Sequence, residues 1–118
     1  MSSVVDLLRG VGREAEPQIQ QQLHGFFGGM IRHYLPQTWV FRTERETASF
    51  HVDAAGKVSV NPGAVEPADV TIEVGDERLR TALTTRRRDA NVPGSLKVIP
   101  HTAKGRAAFD YLRGRLGL

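Results

Sequence analysis

The chain holds 118 residues, 40% hydrophobic and 25% charged, with no cysteine. That composition fits one soluble domain, residues 1–118, long enough to bury a core unaided, and it excludes disulfide frameworks and thiolate metal sites. The net charge of +3 divides into +6 over residues 76–118 and −3 over residues 1–75, so the basic part meets either solvent or an anionic surface.

Residues Ser3–Arg9 read as a short helix, capped by Ser3 with Asp6 reaching back to the cap. Gly10 and Gly12 interrupt the apolar pattern, so residues 1–15 are expected to form a loosely attached segment. No basic stretch precedes its apolar residues, and no apolar run nears the ~18 residues that span a bilayer. Neither a signal peptide nor a membrane anchor is expected, and the absence of thiols suits a cytoplasmic setting.

Pro17–Leu35 reads as the main helix, since proline favours the first helical position. Ile19, Leu23, Phe26, Phe27, Met30, Ile31, Tyr34 and Leu35 recur at three- and four-residue spacing. Gly25, Gly28 and Gly29 weaken its middle, which suits either close packing or room for a bound molecule. Pro36 ends the helix.

From Thr38 to Asn61 the period changes to two. Trp39 and Phe41, Phe50 and Val52, and Val58 and Val60 mark three short antiparallel strands with one apolar face. The loop Asn61–Pro67 crosses over. Val70, Ile72 and Val74 mark a fourth strand, and Asp76 opens a helix with Leu79, Ala82 and Leu83 inward. Leu96 and Val98 mark a fifth strand, and Thr102 caps a last helix to about Gly114. The expected fold is α+β: a one-faced, five-stranded, mostly antiparallel sheet covered by helices, in the order α-β-β-β-crossover-β-α-β-α.

The residues carry no catalytic motif. His24 and His33 are nine apart on one helix and point to nearly opposite sides, and no close ligand pair exists, so no metal or cofactor is expected. Glu44 and Glu46 flank Arg45 at a hairpin tip and read as solvated charges. Arg86, Arg87 and Arg88 either complement a helix C-terminus or contact phosphates of lipid head groups or nucleic acid. Because the aromatics point inward by parity, no nucleic-acid partner is expected.

The stretch Ala68-Asp69-Val70-Thr71-Ile72-Glu73-Val74-Gly75-Asp76-Glu77-Arg78-Leu79 resembles a pattern of the sterol carrier protein 2 family. There, an Ala-Asp pair leads an alternating strand into an acidic helix start. Gly94-Ser95-Leu96-Lys97-Val98-Ile99 is similar to that family's final strand. The chain departs from the family at Thr85 and the three arginines, at Pro100-His101, and over Ser2–Arg13. The resemblance implies a hydrophobic tunnel between sheet and helices, and a carrier or accessory subunit that presents a sterol, fatty acyl or isoprenoid lipid without catalysis of its own.

The residues are compatible with this. Bulky side chains on sheet and main helix face small Ala103, Ala107 and Ala108, and such a pairing either interdigitates or leaves a cavity. The candidate lining is Phe26, Phe27, Met30 and Ile31 on the helix and Phe50, Val52 and Ile72 on the sheet. Leu83 joins it, with Phe109, Leu112 and Leu116 as a movable cover. Arg86–Arg88 would meet a head group in a transient membrane-surface contact. A module with a filled core that binds a partner or forms a homodimer is the alternative.

Overall fold

A computed structural model describes residues 3–26, 28–86, 92–113 and 118. The expected α+β architecture is present, with one additional short helix. The elements are α1 (Val4–Leu23), α2 (Gly28–Arg32), β1 (Gln37–Arg42), β2 (Thr47–Val52), β3 (Val58–Pro62), β4 (Val70–Val74), α3 (Asp76–Thr85), β5 (Leu96–Pro100) and α4 (Ala103–Leu112).

The strands lie in the order β3-β2-β1-β4-β5. β1 and β4 run parallel at the centre, and the other neighbours are antiparallel. Register aligns Trp39 with Phe50 and Val70, and Phe41 with Ala48 and Ile72. These residues form one face, because side chains alternate along each strand. The helices cover that face. Phe41, Ile72, Leu79 and Leu8 are among its largest fully buried side chains, each contributing about 1.5–3 kcal/mol over an exposed position.

The N-terminal segment differs from the sequence expectation. Residues 4–23 form one helix, capped by Ser3 and Asp6 as their spacing suggests. Far from hanging loosely, Val4, Leu8 and Val11 enter the core. Gly12 explains why the predicted interruption does not occur. Here α1 lies tight against the sheet: a side-chain carbon at this position would stand 2.7 Å from Val58 Cγ1. The intrinsic cost of glycine in a helix, about 1 kcal/mol, is offset by the burial this close approach allows. Pro17 sits inside α1 instead of starting it. The neighbouring Glu16 accepts a hydrogen bond from the Val58 amide at 2.7 Å, and Gln20 donates to the Ala55 carbonyl at 2.7 Å. The first fastens α1 to β3 and the second to the β2–β3 turn.

The main helix also stops earlier than Leu35. His24 closes α1, and the Gly28 amide returns to the Gly25 carbonyl. Gly28 lies so near the Leu23 carbonyl that any side chain would overlap it. A bend therefore replaces the middle of the expected helix, leaving α2 as a separate piece.

Replacing Gly12 with valine is expected to cost about 2 kcal/mol or more, because overpacking forces helix and sheet apart. Gly10→Ala, at a position with nothing within 4 Å, is expected to stabilise by roughly 0.5–1 kcal/mol. Urea unfolding midpoints of the two variants check both signs.

Candidate functional site

The proposed lining residues divide into three groups. Ile72, Leu83 and Phe109 belong to one buried cluster, with Phe50 and Leu112 partly buried against it. Val52 is buried outside that cluster. Phe26 and Met30 are 95% and 63% exposed, and Ile31 is half-buried. Their expected place beneath the sheet fails because α1 ends at Leu23 and the glycine bend carries them away. Phe27, Leu116, Arg87 and Arg88 lie outside the described residues. Arg86 is described, and it faces the protein. Its guanidinium pairs with Glu14 of α1 at 3.1 Å, and its Nε donates to the Leu83 carbonyl at 2.7 Å.

Trp39 occupies the space under α4. Its ring centroid lies 5.5 Å from that of Phe109, and Arg113 stands 5.7 Å over Phe109. The indole Nε1 donates to Gln37 Oε1 at 2.9 Å. The buried Gln37 amide donates in turn to the carbonyls of Tyr34 and Lys104, at 2.6 and 3.1 Å. One buried side chain thus joins the segment after α2, the start of β1 and the start of α4. Sequence periodicity gave no sign of this role, since Gln37 precedes the alternating stretch.

At the opposite end of the sheet the two glutamates read as solvated charges are structural. Glu44 accepts the Asp76 amide at 3.0 and 3.2 Å, so it caps α3 in place of Asp76. Glu46 accepts the Val4 amide at 2.8 Å and pairs with Arg80 at 2.9 Å. Asp76 is buried and holds Arg80 Nε at 2.6 Å, while the Thr43 hydroxyl donates to it at 3.0 Å. Burial pushes the Asp76 carboxyl up. Hydrogen bonds from Arg80 and Thr43, with the charges of Arg80 and Arg45, outweigh that and hold it below its ordinary value. The Arg80 guanidinium is raised, chiefly by its hydrogen bond to Asp76. This network ties α1, the β1–β2 turn and α3 together. Asp76 and Arg80 are one helical turn apart, but Thr43, Glu44 and Glu46 lie 32–34 residues from whichever of the two they bind, so local patterns could not reveal the rest.

On the sheet face away from the helices, the segment 63–69 folds back over the strands. Ser49 donates to the Gly63 carbonyl at 2.6 Å and accepts the Val65 amide at 2.9 Å. Between this segment and the sheet lies a cleft of about 460 Å³, whose floor includes Thr38, His51 and Ser59. Among the described residues no group of three His, Asp or Glu is placed to hold a metal ion, and no helix is long and apolar enough to cross a membrane.

No protein-family model matches the chain, and no curated protein matches it either.

The Asp76 geometry sets an acid limit. A carboxyl whose folded value is depressed stabilises the fold above its unfolded value, and that contribution is lost as pH falls through the folded value. Asp76→Asn is expected to cost about 2 kcal/mol at neutral pH. The gap to wild type should narrow below about pH 4. Thermal melts of both proteins across that range check the convergence.

Proposed function

We propose that this chain binds a hydrophobic molecule, a sterol, fatty acyl or isoprenoid lipid, and carries or presents it without catalysing a reaction. The role is that of the sterol carrier protein 2 family, whose motifs residues 68–79 and 94–99 resemble. A cytoplasmic setting and service as accessory subunit to a lipid-modifying enzyme belong to the same reading.

The observation that carries it lies at α2. Residues 17–43 contain no aspartate or glutamate, and within them Phe26, Met30 and Tyr34 are exposed. Isolated exposed apolar residues are ordinary, but a group of large ones near cationic Arg32 on an acid-free stretch is the kind of surface that meets lipid. α2 packs chiefly on α1, so it can move without opening the sheet. An acyl chain would enter there and reach the Trp39–Phe109 contact by displacing α4. About ten buried methylenes supply on the order of 8 kcal/mol, enough for micromolar binding after association costs.

A second reading has its own support. Ile72, Leu83 and Phe109 are almost wholly buried, which suits a filled core whose exposed Phe26 and Met30 meet a second copy.

The double variant Phe26→Ser, Met30→Ser separates the two. On the carrier reading, displacement of a fluorescent fatty acid weakens by roughly tenfold or more, while native mass is unchanged. Wild-type protein that neither co-purifies with an amphiphile nor shows saturable displacement contradicts that reading. A native mass that halves in the variant supports the second reading.

A further inference from the structure

We propose that the cleft on the sheet face away from the helices is a second binding site, for a small hydroxylated amine of about amino-sugar size. It goes beyond the lipid reading and lies on the opposite side of the sheet.

The volume, about 460 Å³, falls within the range of small-molecule pockets. The cleft is also held in shape before any ligand arrives. The Ser49 hydroxyl pins its outer wall at Gly63 and Val65. Asp69 fixes the inner corner. Its Oδ2 accepts the Thr38 amide at 2.9 Å, and its Oδ1 accepts the Thr102 hydroxyl at 2.8 Å, with Lys104 Nζ 3.7 Å away. The floor is a polar row read directly from register, with His51 paired to Thr38 on β1 and to Ser59 on β3.

The polar groups that face the solvent-open side of the cleft define the ligand, which would take the place of water on them. His51 Nδ1 shares a 2.8 Å hydrogen bond with Thr38 Oγ1, which leaves Nε2 available. The side chains of Ser59, Asn61 and Glu66 line the cleft and hold no hydrogen bond among the described residues. Hydroxyls satisfy imidazole, serine and amide groups alike, because each can donate to or accept from them. The charge balance selects the amine. Lys104, the one lysine in the lining, is already committed to Asp69 and to the Pro36 carbonyl. The Glu66 carboxylate is left to meet a cation, so an anionic ligand is disfavoured. The wall formed by Pro36, Val65 and Pro67 offers apolar surface to the C–H face of a ring.

The test is a titration of the ¹⁵N-labelled full chain with glucosamine, glucose and glucose 6-phosphate in turn, followed by amide shifts. Saturable shifts confined to the neighbourhood of His51, Ser59, Asn61 and Ala68 are expected. Glucosamine should bind more tightly than glucose, and the phosphate ester most weakly. The exposed Glu66→Gln variant should lose about tenfold in glucosamine affinity and the preference over glucose, and Asn61→Ala should weaken both sugars. Fatty-acid displacement should be unchanged in Glu66→Gln, which separates this site from the proposed lipid role. Absence of saturable shifts from either sugar, shifts unmoved by both substitutions, or tightest binding of the phosphate ester would overturn the proposal.

Discussion

The close contact between α1 and the strands beneath it governs the rest of the molecule. A five-stranded sheet with one apolar face cannot stand in water, and a helix of 20 residues, about 30 Å long, is long enough to run the length of β3 and beyond. Gly12 lets that helix lie down on Val58 and Phe50. The anchors then follow in order along it, from the Val4 amide on Glu46, through Glu16 on Val58, to Gln20 on Ala55. Each hydrogen bond is modest, about 1 kcal/mol net. Their effect is to fix the helix in one register over the sheet, so that Leu8 and Val11 fall into the core.

The two ends of the sheet are thereby given different characters. At one end, Asp76, Arg80, Glu44 and Glu46 close a charged network among α1, the first hairpin turn and α3. Partly buried, hydrogen-bonded pairs of this kind resist opening, because separating them strands a charge away from water. At the other end Gln37 is the buried polar link between β1, α4 and the segment that follows α2. Apolar side chains there face solvent, and the polar cleft opens on the far face. One end is thus held by ion pairs and the other by hydrogen bonds of a single buried amide.

The strands were legible because a period of two survives in Trp39–Phe41, Val58–Val60 and Val70–Val74 whatever surrounds them. The inward side of α3 was legible for the corresponding helical reason, at Leu79, Ala82 and Leu83, and so was Phe109 on α4, whereas Ala103 and Ala107, expected on that same side, are exposed. The starts of α1, α3 and α4 were legible too, at Ser3, Asp76 and Thr102, but the division of residues 4–35 into helices was not. Glycine is a helix breaker by propensity, yet at Gly12 the missing side chain is what the packing requires, and at Gly28 it permits a bend. Tertiary contact decides between those outcomes, and it is absent from a local window. Glu44 and Glu46 look wet at a hairpin tip, and only the fold brings Asp76, Arg80 and Val4 to them. His51 alternates with Phe50 and so falls on the outward side of β2, but the cleft around it depends on the Ser49 hydroxyl drawing the crossover back over the strands.

The central claim is that α1 and the sheet form one cooperative unit from the first turn of the helix onward. Native-state hydrogen exchange on the full chain tests it most directly. The account predicts that the amides of Leu8 and Val11 exchange only through the same global opening as those of Phe41 and Ile72. Exchange of the first half of α1 through a separate, less costly opening, with the sheet still protected, would contradict it.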